Sequence, residues 1–307
     1  MMEALLIILQ LIFFIGAAPF LSGLIAKIKN NIRMRRGQSI IQPYYNLAKL
    51  FSKGEVFSET ASWIFKVTPF IVVASSLAAA LLIPVFIFSS SGHCIGDFLA
   101  LIFIFALGRF FLALSALDTG SSFGGMGSSR EMFISSLVEP ALCLTVFSMS
   151  LQFASTDISE FSGMHAVSVS SIVAAVTLLL LTIAETSRIP VDNQETHLEL
   201  TMVHEAMALE YSGRSLALIE MASYIKQMVW FFLIAQIIFP IAAPGRGALP
   251  HLVSWFLWYL TRIIIIAIIV ALIEVSVAKM RLFRVADFLG LAFVLGVFAI
   301  VCAILGV

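Results

Sequence analysis

Apolar residues in this chain come in eight long runs, at about 3–26, 67–88, 98–117, 131–153, 168–187, 223–243, 254–274 and 287–306. Each is close to the roughly 20 helical residues that cross a bilayer's hydrocarbon layer. The polar segments between them differ sharply in charge. Fifteen of the eighteen Lys and Arg residues follow runs one, three, five and seven, Arg246 alone falls on the other side, and Arg109 and Arg262 lie inside runs. The positive-inside rule then puts the odd loops in the cytoplasm and both termini outside. The pattern predicts an all-α integral membrane protein of eight transmembrane helices, one polytopic domain over 1–307 in the cell (inner) membrane.

Two cytoplasmic loops carry their own patterns. In the first, Ile40, Ile41, Tyr44, Leu47, Leu50 and Phe51 recur at helical spacing opposite Gln42, Asn46, Lys49 and Lys53. That spacing predicts an amphipathic helix along the membrane surface, either a docking element or a lipid anchor. In the loop after the third run, Asp118 to Glu131, the glycines lack the Gly-Lys-Ser/Thr and the preceding strand of a phosphate loop. Ser128 and Glu131 fit a capping box that would start the fourth span, leaving the glycines to a mobile or closely packed turn.

Composition narrows the chemistry. With 61% hydrophobic residues, 12% charged and a mean hydropathy of +1.06, the chain has too little polar surface for a soluble globule. A formal net charge of zero offers no field for nucleic acid, which is not an expected partner. Cys94, Cys143 and Cys302 are far apart and form no CxxC, so no iron–sulfur cluster, structural zinc or disulfide framework is expected. The first positive charges, Lys27 and Lys29, follow the first apolar run, the reverse of a signal peptide.

Charges inside the runs are costly and so informative. Arg109 lies nine residues from the cytoplasmic end of span three and Glu139 eight residues into span four. At 1.5 Å per residue both stand about 12 to 13 Å deep and can pair, as a proton-path carboxylate with its counter-ion or as a structural ion pair. Pro140 would loosen the helix beside Glu139. Glu185 and Glu274 close spans five and seven, near enough to the interface to be solvated. Arg262 has no evident partner and would snorkel outward.

The densest polar stretch is Glu185 to Arg214, with Glu185, Asp192, Glu195, Glu199, Glu205 and Glu210. Thr196 and Glu199 form a capping box, so the residues after them predict a short helix. On it Glu195 and Glu199, four apart, would raise each other's pKa. His197 and His204, seven apart, lie too far from each other for one metal, and no HExxH spacing occurs. No metal is expected.

These residues carry a resemblance. Glu185 with Arg188-Ile-Pro190-Val-Asp192, Glu195, Glu199-Leu200 and Glu210-Tyr211-Ser212-Gly213 stand in the order found in one family. It is the eight-helix membrane subunit, of the NADH dehydrogenase subunit 1 type, shared by respiratory complex I and the membrane-bound nickel–iron hydrogenases, including the formate hydrogenlyase and hydrogenase-4 types. The chain resembles it along essentially its whole length. Arg36-Gly37, Gln42 and Lys49-Leu50 are similar to its first loop. Arg109-Phe110-Phe111, Leu117 to Gly120 with Ser129-Arg130-Glu131, and Glu274 with Ala278 to Arg284 are similar to the hydrogenase branch. Gly37-Gln38 in place of Gly-Pro, Pro190-Val191-Asp192 in place of Pro-Phe-Asp, and a longer link from Leu200 to Glu210 depart from complex I where that enzyme closes around quinone. Glu205 falls outside the motif.

The resemblance implies a membrane anchor and ion-coupling subunit that itself binds no cofactor and is not itself catalytic. The nickel–iron centre and iron–sulfur clusters would sit on partners: hydrogenase large and small subunits, an iron–sulfur subunit, and antiporter-like membrane subunits. Proton or sodium coupling would run through Glu139, Arg109, Glu185, Asp192, Glu195, Glu199, Glu210 and Glu274. Docking of the peripheral module would use Arg33, Arg35, Arg36, Arg130, Arg188, Tyr211, Arg281 and Arg284. Two alternatives compete: a quinone-facing subunit of a complex I-like dehydrogenase, and a stand-alone secondary cation transporter. The latter would show an internal repeat or paired broken helices, and the sequence displays neither.

Overall fold

A computed structural model describes residues 2–58, 60–85, 96–158, 168–192, 202–239 and 249–306. In hydrocarbon every backbone amide must be satisfied within its own segment, so each apolar run becomes a helix. In chain order these are α1 (Met2–Ile32), α2 (Gln42–Ser52), α3 (Trp63–Leu82), α4 (Phe98–Asp118), α5 (Ser122–Phe153), α6 (Val169–Glu185), α7 (His204–Ala208), α8 (Gly213–Ile238), α9 (Leu249–Ser276) and α10 (Leu282–Leu305). Seven of them, α1, α3, α4, α5, α8, α9 and α10, include stretches long and apolar enough to cross a membrane. The remaining apolar helix, α6, stands where the sequence places the fifth span but has only 17 residues. It rises about 26 Å, and the polar turn that follows it is buried within the protein.

Helix α8 is the axis of the bundle. From Gln227 to Ile237 every residue is buried, and α1, α2, α3, α6 and α9 pack around it. A helix apolar on all sides has no face to offer solvent, so it occupies the centre. Its aromatic side chains set the spacing: Phe232 lies 5.3 Å from Phe14 and 4.8 Å from Tyr259, and Trp230 lies 5.5 Å from Phe105, between ring centroids.

The two ends of the bundle, called outer and cytoplasmic after the loop charges, are held differently. At the outer end, buried side chains cap helix C-termini, where carbonyls lack intrahelical partners. Gln10 donates from Nε2 to the carbonyls of Ala80 and Ile83, each at 2.7 Å, at the end of α3. Arg262 donates to the Phe239 carbonyl just past α8 and lies over the Tyr259 ring, 4.6 Å from its centroid. Arg262 is 2% exposed, so it does not snorkel. The α8 carbonyl end and the aromatic face hold it inside.

At the cytoplasmic end, α2 confirms the amphipathic pattern and sinks against α1. The Tyr44 hydroxyl bonds the Gly16 carbonyl. At Gly23 a Cβ would meet the Ile40 carbonyl at 2.0 Å, a close approach that requires glycine. Pro43 and Leu47 are buried, while Ile41, Tyr45 and Phe51 stay exposed.

The glycine-rich loop departs from its expected form. Helix α5 begins at Ser122, capped by the Ser121 hydroxyl accepting from the Gly124 amide at 3.1 Å, and not at a Ser128–Glu131 box. Its glycines are therefore helical, and two of the three, Gly124 and Gly127, are closely packed. A Cβ at Gly124 would lie 2.5 Å from the Ala116 carbonyl, and one at Gly127 would lie 2.8 Å from the Ala206 Cβ. Ser128 instead donates to the carbonyls of Ala113 and Gly124. The helix runs on unbroken through Pro140.

The ends joined by odd loops gather at one pole. Thr60 bonds the Thr119 carbonyl, Asp118 accepts from the Ser62 amide, and the Met280 amide bonds the Pro190 carbonyl. At the other pole the Phe98 amide bonds the Thr156 carbonyl. In a background with Cys94, Cys143 and Cys302 replaced by Ser, a membrane-impermeant thiol reagent added outside should therefore label Asp157→Cys and spare Lys53→Cys. Efficient outside labelling at position 53 would invert the topology.

Candidate functional site

Three buried charge clusters hang on the short stretch that ends α6. Glu185 is its last helical residue, and the backbone continues in tight turns: the Arg188 amide bonds the Ile183 carbonyl, and the Val191 and Asp192 amides bond that of Arg188. Ser187, at φ +50°, takes a left-handed conformation that a non-glycine residue adopts at some cost. These turns aim Glu185, Arg188 and Asp192 in three directions.

The first cluster surrounds Glu185. Arg109 of α4 reaches its Oε1 from Nη1 at 2.9 Å, and Lys226 of α8 reaches its Oε2 at 2.7 Å. Arg109 also donates to Ser135 at 2.8 Å and stands 3.6 Å from Glu139. The pairing expected by depth is thus the weaker of two. Glu139 has a side chain 42% exposed on the flank of α5, whereas that of Glu185 is 1% exposed. Glu185 is not solvated, because α5, α7 and α8 close over the end of α6. A cavity of about 50 Å³ opens beside it, lined by Arg109, Glu131, Glu185, His204, Lys226 and the hydroxyls of Ser75 and Ser76. That volume has room for water.

The second cluster surrounds Glu274, also buried and not solvated. Lys29 of α1 holds its Oε2 at 2.7 Å and Arg188 its Oε1 at 2.6 Å, while Arg188 also donates to Gln227 at 2.7 Å. Arg188 therefore ties α6, α8 and α9 together inside the protein and offers no docking surface. The third cluster is Asp192, which accepts from Lys279 at 2.7 Å and from the Val203 amide at 3.1 Å. Between the second and third lies a cavity of about 170 Å³ under α2, reaching Gln38 and Asn46.

With Glu131 and Glu139, the clusters hold five carboxylates (Glu131, Glu139, Glu185, Asp192, Glu274) against five cations (Lys29, Arg109, Arg188, Lys226, Lys279). Burial of so many charges is tolerable because carboxylates and cations alternate, and removing one partner of a buried pair costs about 3–5 kcal/mol.

Other expected site residues fall elsewhere. Tyr211 is buried, its ring stacked on Phe65 at 4.0 Å and its hydroxyl on the Phe65 carbonyl at 3.1 Å, so it packs and does not dock. Arg130 is half-buried and donates to the Met202 carbonyl. Glu210 is exposed, outside the buried clusters. Arg35, Arg36, Arg281 and Arg284 are exposed and Arg33 half-exposed, as a docking surface requires. Glu195, Glu199, His197 and the Thr196–Glu199 capping box lie outside the described residues, and the helix expected there is described only as α7, capped by no side chain. Among the described residues, no group of three His, Cys, Asp or Glu could hold a metal ion.

Sequence reasoning missed Lys29, Lys226 and Gln227 as site members, because each lies near a span end where a polar residue needs no explanation. It also passed over Glu205. This half-buried carboxyl is pushed up from 4.5 to about 7, chiefly by burial, with Asp192 and Glu220 adding to it. Its neighbour His204 is lowered by burial, aided by Lys226 and Arg109 against Glu131 and Asp192.

Two outcomes follow from this geometry. Arg109→Ala should destabilise the purified chain by about 3–5 kcal/mol and Glu139→Gln by less than about 1 kcal/mol, read from denaturant unfolding in detergent; equal effects would contradict the geometry. Glu205 holds its proton more tightly when folded, so its stabilising contribution is complete below about 4.5 and is lost as pH rises through about 7. Glu205→Gln should flatten that limb of stability against pH, and Asp192→Asn should move it to lower pH.

Comparison with known proteins places the chain. Residues 4–305 match the family described as NADH dehydrogenase. Hydrogenase-4 component C of Escherichia coli (strain K12) is 32% identical over 294 residues, covering 94% of this chain and 92% of that protein. Formate hydrogenlyase subunit 4 of the same organism is 29% identical over 286 residues, 92% of each. NADH-quinone oxidoreductase subunit 8 of Rhodothermus marinus is 26% identical over 237 residues, 69% of this chain and 66% of that one. In fold, the chain is similar to one in the membrane-bound sulfane sulfur reductase, an archaeal respiratory membrane complex, with a TM-score of 0.82, 16% identity, and coverage of 99% and 100%. Matched end to end in sequence and carrying the same bundle of membrane helices, this multi-pass protein belongs to the NADH dehydrogenase subunit 1 family, with the hydrogenase-4 and formate hydrogenlyase membrane subunits among its homologues.

Proposed function

We propose that this chain anchors the peripheral module of a hydrogenase or formate hydrogenlyase-like complex to the membrane and couples its redox turnover to ion movement. The observation that carries the reading is the set of three buried charge clusters on the turn that ends α6, built on Asp192, Arg188 and Glu185, the last of them joined through Arg109 to the half-exposed Glu139 on the bundle's flank. Ionisable groups at such depth are expensive and mark pathways or coupling sites. The exposed Arg33, Arg35, Arg36, Arg281 and Arg284 supply a docking rim for hydrogenase and iron–sulfur subunits. The side of α5 that carries Glu139 suits an antiporter-like membrane subunit, since a carboxylate there needs cover from lipid.

Two features favour protons over sodium and coupling over stand-alone transport. Glu185, Glu274 and Asp192 each already hold a fixed cation at 2.6–2.9 Å, which would repel a bound sodium ion, whereas a proton needs no ligand shell. The layer from Val229 to Ala235 on α8 is wholly apolar and buried, so it separates these charges from the outer pole. Ions handled here would pass sideways to a neighbour.

The test is proton and sodium uptake by vesicles carrying the complete complex, per hydrogen produced. Glu139→Gln and Asp192→Asn should each lower proton uptake at least about tenfold, with the companion subunits still copurifying. Unchanged uptake in both variants would leave these carboxylates structural, and uptake of sodium in place of protons would overturn the choice of ion.

A further inference from the structure

Glu185 is held by two cations of different chemistry. Arginine keeps its charge at any working pH, whereas a buried lysine can release its proton. Arg109 is also pinned: beyond Glu185 it donates to Ser135, and it stands beside Glu139. Lys226 has one carboxylate partner, at 2.7 Å, and its ammonium lies 5.7 Å from the centre of the Phe105 ring. Its side chain is 20% exposed, and it shares the cavity wall with the hydroxyls of Ser75, Ser76 and Ser223.

The charged groups sharing the cavity with Lys226 come from each neighbouring element, Arg109 on α4, Glu131 on α5, Glu185 on α6 and His204 on α7, and Glu139 on α5 stands behind Arg109 at 3.6 Å. Helix α3 contributes no charge to the lining, only Val72 and the hydroxyls of Ser75 and Ser76. The next residue on α8, Gln227, leads into the Arg188–Glu274–Lys29 cluster. Three carboxylates therefore face two cations, with His204 held toward its neutral form. A set with one carboxylate in excess, two of its three largely buried, favours taking up one proton, and Lys226 is the only cation of the set that can pass one on.

We propose that Lys226 is a proton-carrying residue of the Glu185 site, giving its proton to Glu185 and being recharged through the cavity. This rests on the coupling function proposed above. In the step the Nζ–H bond breaks as a bond forms from that hydrogen to Oε2 of Glu185, nitrogen keeps the electron pair, and an ion pair becomes a neutral amine beside a carboxylic acid. No electron changes hands. Arg109 keeps its charge throughout, held in place by Ser135 and shared between Glu185 at 2.9 Å and Glu139 at 3.6 Å.

The experiment compares wild type with Lys226→Arg in the complete complex, because arginine restores charge and pairing but holds its proton. Lys226→Met serves as the variant that removes both. Two readouts are taken: proton uptake per hydrogen produced across pH, and the infrared C=O stretch of a protonated carboxyl that appears on turnover, assigned by its loss in Glu185→Gln. We expect Lys226→Arg to copurify with its companions, to lose the carboxyl band and to lower uptake about 10²-fold. A band and pH profile unchanged by Lys226→Arg would make Lys226 a structural counter-ion and overturn the proposal, leaving the coupling reading standing. Wild type that shows the Lys226-dependent band but takes up no protons would sink the coupling reading and keep the local transfer.

Discussion

The structure turns on one ion triad: a carboxylate with a side chain 1% exposed, Glu185, held between Arg109 and Lys226. A charge taken from water into a medium of low dielectric loses several kcal/mol of solvation and recovers it only from well-placed partners. Those partners come from α4 and α8, so α6 can end where it does only if both helices stand beside it. The same constraint repeats at Glu274, whose partners come from α1 and from the turn after α6. Fold and charge arrangement are therefore a single problem, solved at the cytoplasmic half of the bundle.

That solution explains the position of α8. Its stretch from Val229 to Ala235 is apolar on every side and Lys226 and Gln227 stand just inward of it, so one helix serves as both core and site. Polar groups near the bundle axis meet there with cavities of about 50 and 170 Å³, while the outer half is filled by packed rings. Side chains that must exchange protons need such room, and side chains that seal a membrane must not have it.

Much of the architecture was legible because membrane insertion writes itself into hydropathy and loop charge. The helices and the amphipathic α2 follow from local pattern alone. The site was legible in its residues but not in its pairings. Depth along two neighbouring helices pointed Arg109 to Glu139, yet the closer carboxylate sits on α6, whose end lies inside the protein and not at its surface. No linear pattern reveals that a helix stops short of the interface. For the same reason Arg188 and Tyr211, polar residues in a polar insert, looked exposed although tertiary packing buries them. The Gly124 and Gly127 stretch misled in the opposite sense: composition pointed to a turn, and the need for close helix contact made it a helix.

The caps supplied by Gln10 and Arg262 have a mechanical consequence. They fasten the outer ends of α3 and α8 to α1 and α9 through bonds to backbone carbonyls, which no change of protonation in a carboxylate can release. The inner ends are joined by such bonds too, but also by the ion pairs of Glu185, Glu274 and Asp192, whose strength depends on the charge of each partner. A change of protonation in the buried carboxylates therefore bears on the contacts of the inner rim and leaves the outer caps untouched.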